Sequence, residues 1–246
     1  MCATLAYVLN NKPEPKWSIP EEQRQSVLES ILTEPFFKSS SKYVEGITYD
    51  RGFRAQLAYV DTIANNSANE QLRQAALDDA RRTRIAISYN QGADTQVDAM
   101  TTVLGLKMFA QQKSHIYASE TAFEADSLDD VRTTMHHEII HAKVNYSGLE
   151  LSAAETVKLQ QKGLKGIPQE VLADGPLWVA LMEAPAYFHQ LRVVDAGTFQ
   201  VQPAKYQRYK NVLNQVVTVL REYASQDEAK GWFAQAMLRS TVDAPK

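Results

Sequence analysis

Residues 137 to 141 read His137-Glu138-Ile139-Ile140-His141, two imidazoles four positions apart with a carboxylate directly after the first. On a helix, residues at that spacing stand about 40° apart around the axis and about 6 Å apart along it. Two imidazole nitrogens so placed can reach a single zinc ion, at roughly 2.0–2.1 Å each. Glu138 is turned about 100° from His137. It therefore lies off the line of the metal bonds and close to a water on the ion, where a carboxylate serves as proton acceptor.

The surrounding residues carry the signals of a helix able to present that pair. Ser127 stands at an N-cap, Asp129 and Asp130 follow in the first turn, and Gly148 supplies a stop after Tyr146. Leu128, Val131, Met135, Ile139 and Ala142 recur at intervals of three and four. At about 100° per residue their stripe is centred roughly 140° from His137 and His141, with Glu138 between. One face is thus for the core and another for the imidazoles, as a cleft floor requires. The competing reading is a helix whose solvated polar face happens to carry histidines.

This pentapeptide on a helix resembles the zincin metallopeptidases. Their metzincin branch has Gly and His where this chain has Val144 and Ser147, which excludes it. The gluzincin branch takes its third ligand from a later helix, in a pattern written E-x-x-A-D or E-x-x-x-D. Glu183-Ala184-Pro185-Ala186-Tyr187 matches the glutamate and the alanine but has Tyr187 where aspartate is usual. The resemblance spans roughly residues 83–195. It implies Zn2+ held by His137, His141 and Glu183, Glu138 as general base, and endopeptidase action on a peptide or protein. In that family the aspartate steadies a zinc-bound histidine; here Tyr187, Asp130 or another residue would take its place.

Glu150, Glu155, Glu170 and Asp174 compete with Glu183 as third ligand. Glu150 follows the helix stop closely, with little chain in which to turn back. Glu155 and Glu170 lie in segments of ordinary polar pattern and are expected to be solvated. Glu183 sits in the apolar run Leu177 to Phe188, where an unpaired carboxylate is costly and a cation is a good partner. Pro185 is expected to kink that helix. Tyr187, one turn beyond Glu183 on the same face, is either a donor to a transition-state oxyanion or a core tyrosine with a satisfied hydroxyl.

The other histidines carry less. His136 has Ile140 at its i+4 position, so a packing or supporting role is expected. His189 lies six residues after Glu183, about 120° away around a straight helix. It cannot share the ion and stands as a candidate transition-state donor. His115 reads as a strand-surface residue.

The rest of the chain must position these groups. Ser18-Ile19-Pro20-Glu21 reads as a capping box with proline in the first turn, followed by Val27, Leu28, Ile31 and Leu32 before Pro35. A second box at Ser67 to Glu70 opens a helix through Leu72, Ala76 and Ala80. Arg84 to Tyr89 and His115 to Phe123 alternate as strands. Val97 to Phe109 fits helix and strand equally. Helices are expected over Leu151–Gln161, Pro176–Val194, Tyr206–Tyr223 and from Asp227 onward. The class is α+β, predominantly α-helical, with a small zincin-like sheet packed on the active-site helix. Residues 1–82 read as a helical region packed on a catalytic unit of 83–246. The strand ahead of that helix, His115 to Phe123, is where zincins lay an extended substrate against a sheet edge.

Bulk properties narrow the function classes. The 246 residues are 44% hydrophobic and 22% charged, with a formal net charge of -3. That balance offers no footprint for nucleic acid. The lone cysteine, Cys2, excludes an internal disulfide framework and a cysteine zinc site. Met1 to Asn11 lacks a basic start and has a short apolar run, and no run reaches membrane-spanning length. A protein made in the cytoplasm, with no membrane partner, is expected; export by a route without a cleavable signal is compatible. Oligomeric state is not encoded legibly. Besides a peptidase, the residues admit an inactive zinc-holding binding protein of the same fold and a metal-free helical interaction module.

Overall fold

The computed structural model describes residues 19–50, 99–102, 113–118, 120–123, 127–164 and 166–242. Helix α1 (Glu21–Thr33) buries Leu28 and Ile31 and ends at Glu34, held extended at φ -61°, ψ 148°. That is the conformation a following proline, here Pro35, imposes. Its N-cap is Pro20 rather than Ser18, which lies outside the described residues. A 3-10 turn over Lys38–Lys42 leads into strand β1 (Val44–Tyr49), within a region that sequence had suggested was helical.

Strand β2 (Ala99–Thr102) gives the ambiguous stretch from Val97 an extended portion. Strand β3 (Ser114–Ala118) then buries Ser114, Ile116 and Ala118 and turns His115 and Tyr117 the other way, as the alternation predicts. It stops short of Phe123, since Glu120–Phe123 is a 3-10 turn. The remainder of Val97–Phe109, the helix expected from Ser67 and the strand expected over Arg84–Tyr89 lie outside the described residues.

The sheet order is β1-β3-β2. β3 runs parallel to β1, with Ile116 opposite Ile47, and antiparallel to β2, with Ile116 opposite Thr101. The expectation of a sheet edge at His115–Phe123 is therefore corrected: β3 is central and hydrogen-bonded on both sides. A parallel partner requires a long crossover, and β1 lies far enough ahead in the chain to provide one.

Helix α2 (Leu128–Ser147) is bounded as its sequence dictates. The Asp130 N–H donates to Ser127 Oγ at 3.3 Å, and Gly148 ends the helix at φ 92°, a left-handed conformation that glycine adopts cheaply. Helices α3 (Ala153–Gln161), α4 (Gln169–Leu172), α5 (Gly175–Asp195), α6 (Pro203–Ala224) and α7 (Ala229–Thr241) follow. Apart from α4, for which no limits are expected, they fall within a few residues of the expected ones. Helix α5 runs on through Pro185, which has no N–H to offer the Leu181 carbonyl. The architecture is mostly helical with a small mixed sheet. Among the described residues no helix is long and apolar enough to cross a membrane.

Two large apolar clusters and a small one between them pack the described residues. The first joins Leu28, Ile31, Phe37, Val44, Ile47 and Ile116 to the α2 stripe Val131, Met135, Ile139 and Ala142. Residues before 82 thus share a core with residues after 83. The second gathers Leu159, Val171, Leu177, Leu181, Val216, Leu220, Phe233 and Met237 from α3 to α7. Each fully buried side chain of this size contributes about 1.5–3 kcal/mol relative to exposure. Helix α5 spans the seam: Leu177, Ala180, Leu181 and Ala184 belong to the second cluster, while Ala186 packs on Ile140 and Val144 of α2.

Candidate metal centre

Packing the α2 stripe against sheet and α1 leaves its imidazole face toward α5. Met135 is fully buried, and the side chains of His137 and His141, on the other face, retain 11% and 12% exposure. Glu183 reaches across from α5 with 30% of its side chain exposed. The distances are short and nearly equal: 3.0 Å between the two Nε2 atoms, 3.3 Å from His137 Nε2 to Glu183 Oε2, and 3.5 Å from His141 Nε2 to Glu183 Oε1. Ligand atoms at roughly 2.0–2.1 Å from one tetrahedral ion stand about 3.3 Å apart. Two imidazoles and a carboxylate at these separations can hold a divalent cation, and the donor set suits first-row transition ions. Among the described residues theirs is the one His/Cys/Asp/Glu group that converges in this way.

The electrostatics agree with the geometry. Burial works against charge on His141, but Glu183 outweighs it and pushes the imidazole up to about 9. Burial likewise opposes charge on Glu183; His141 and His137 overcome it and hold the carboxyl well below the usual range. The anion is thus ready at neutral pH, while a cation entering the site would displace a proton from His141. Glu138 is buried, and its charge acts on both His141 and Tyr187.

Support behind the imidazoles differs from the usual pattern. In zinc sites the second ring nitrogen generally donates to a carboxylate, carbonyl or water. Here Nδ1 of His137 and of His141 is buried without a hydrogen-bond partner among the described residues. Tyr187, at the position where the resemblance expects aspartate, meets His137 through its ring, edge-on with centroids 4.5 Å apart. Packing therefore orients that imidazole. Burial, followed by the Glu183 charge, raises the Tyr187 phenol above its ordinary range, so it stays protonated and able to donate. Its other neighbour, Tyr209, is buried at 6.2 Å between ring centroids. Asp130 lies buried at the start of α2, engaged with the Ser127 hydroxyl and 4.0 Å from Lys205 Nζ.

None of the competing carboxylates joins the imidazoles. Glu150 pairs with Lys143 and stands 2.9 Å from His189 Nε2. Asp174 caps α5 through the Leu177 N–H at 3.2 Å and also accepts from Tyr223 and Lys230. Glu170 is exposed in the first turn of α4. Glu155, expected in solvent, is instead buried between Arg239 and Lys158, because α7 folds over α3. His115 lies 2.8 Å from Thr48 Oγ1 on the sheet. The His136 ring packs on Phe36, and burial drives its imidazole down to about 4. The Lys143–Glu150–His189 grouping was not foreseen; its members come from three separate elements, and no sequence interval links them.

Comparisons with family models, with curated proteins and with solved structures find no match for this chain.

Proposed function

We propose that the protein is a zinc-dependent endopeptidase of gluzincin-like type, with the ion held by His137, His141 and Glu183. The observation that carries this is the three-way convergence of Nε2, Nε2 and carboxylate at 3.0 to 3.5 Å, on two helices, beside a buried glutamate. When bound, zinc supplies a Lewis acid that polarises a carbonyl and brings the pKa of a water ligand toward 7. Glu138 accepts the proton of the attacking water and returns it to the departing amine. Tyr187, kept protonated, donates to the oxygen that gains charge in the tetrahedral state. With β3 paired on both sides, an extended peptide would add along β2, the one of the two outer strands that packs most on α2.

A second reading, a zinc-holding binding protein without turnover, is favoured by one specific observation. Tyr187 stands where the resemblance places an aspartate, and both Nδ1 atoms lack hydrogen-bond partners among the described residues, so the support that raises ligand basicity for turnover is missing. One experiment separates the two. Purified protein is assayed for metal by mass spectrometry and for cleavage of a peptide library, with and without chelator. Stoichiometric zinc and chelator-sensitive cleavage are expected. Zinc without cleavage would favour the second reading, and absence of any bound metal would sink both.

A further inference from the structure

Helix α5 carries Glu183 and runs unbroken from Gly175 to Asp195, with one backbone donor missing close to that carboxylate. Pro185 follows Glu183 by two positions and interrupts the hydrogen-bond ladder at the Leu181 carbonyl. The half before it is packed into the second cluster, through Leu177, Leu181 and Ala184. The half after it lies against α2, with Gln190 Nε2 donating to the Thr133 carbonyl at 3.2 Å. The reach of Glu183 toward the imidazoles therefore depends on what ties α5 to α2 near the proline.

A tie exists on the side away from the ligands. Lys143 follows His141 by two residues and points about 200° from it around α2; His189 follows Glu183 by six and points about 120° from it around α5. Between them stands Glu150, from the α2–α3 connection, with its side chain 15% exposed. One of its carboxylate oxygens pairs with Lys143 Nζ and the other lies 2.9 Å from His189 Nε2. The space beneath is filled by Ile140, Val144, Leu149, Met182 and Ala186. Burial opposes charge on Glu150, but His189 and Lys143 hold its carboxyl down at about 2, so Glu150 is the carboxylate at neutral pH.

We propose that Lys143, Glu150 and His189 form a clamp that sets the α2–α5 spacing and so aims Glu183 at His137 and His141. His189 and Glu150 are positioning residues that touch no ligand of the ion, and the assignment rests on the metal-site reading above. Removing a group bonded directly to a ligand changes metal affinity by about 10- to 100-fold, and a clamp one contact further out is expected at the lower end.

The test is the dissociation constant for Zn2+, by competition with a chromophoric chelator, together with the visible absorption of the Co2+-substituted protein. Urea unfolding of the metal-free protein serves as control. His189→Ala is expected to weaken Zn2+ binding about tenfold and to shift the Co2+ bands, and His189→Gln, which retains a donor toward Glu150, to restore both. If His189→Ala does not fold, Glu150→Gln, which keeps the shape and removes the charge, is expected to reproduce the loss. Variants that lose stability but keep wild-type affinity and Co2+ bands would show an ordinary structural ion pair and overturn the clamp. A wild-type protein that binds neither ion would instead remove the metal-site reading, and the clamp with it.

Discussion

Glu183 and His137 stand 3.3 Å apart across the α2–α5 seam, each on a helix rooted in a different apolar cluster. A cation between them would join those clusters, so metal binding and folding should be thermodynamically linked. Adding Zn2+ to metal-free protein is expected to raise the unfolding temperature, by about 2.7 kcal/mol of stability at a hundredfold excess over Kd. His137→Ala or Glu183→Ala should abolish the effect. Calorimetry with and without zinc checks this; an unchanged transition in the wild type would refute the linkage.

Glu138→Gln separates holding the metal from using it. The amide keeps the shape but cannot accept a proton, so metal content should remain stoichiometric while cleavage falls by about 10²–10⁴-fold. Full peptidase activity in that variant would refute the assigned role.

Tyr187→Phe probes the phenol alone, because the ring packed on His137 is retained. The expected result is a loss of about 10²-fold or more in kcat, with KM and zinc affinity little changed. A loss of zinc affinity with kcat preserved would reassign Tyr187 to orienting His137.

Acid should find Glu150. Its folded-state carboxyl lies at about 2, below the ordinary 4.5. A depressed value stabilises the fold above the unfolded pKa, and that contribution is lost as pH falls from about 4.5 through 2. It amounts to at most roughly 3 kcal/mol, since each unit is worth about 1.36 kcal/mol. Glu150→Gln should therefore lower stability at pH 7 and narrow its distance from wild type as pH falls toward 2. Urea unfolding at several pH values gives the measurement, and a constant difference would contradict it.

Gly231 marks a close approach in the helical half. A Cβ there would lie 2.0 Å from the Gln226 carbonyl oxygen and 3.0 Å from that of Tyr223, both backbone atoms at the α6–α7 turn. Backbone cannot swing aside as a side chain does, so Gly231→Ala should cost about 2 kcal/mol and some 4–8 °C in Tm. Zinc affinity, read alongside, should be unaffected once the protein is folded.

Much of this molecule could be read from local chemistry. The limits of α2 follow from Ser127 and Gly148, and its two faces follow from the intervals between Val131, Met135 and Ile139 and between His137 and His141. Helical periodicity and caps act within a few residues, so they are present in the sequence itself. Glu183 was favoured for the same kind of reason: a carboxylate in an apolar run needs a partner.

Contacts distant in the chain were decided by the tertiary structure. Val44, Ile47, Thr48 and Tyr49 favour a strand, but Glu45 and Gly46 blur the alternation, and the pairing with Ser114–Ala118 depends on a crossover whose path local pattern does not encode. That pairing made β3 central and left β1 and β2 as the outer strands of the described sheet. The packing of α7 on α3 buried Glu155, and the approach of α5 to α2 brought Glu150 to His189. The sequence by itself determined which groups share the imidazole face of α2, because helix geometry sets their direction. Which of several carboxylates meets them depended on how the helices pack, and that is a property of the whole core.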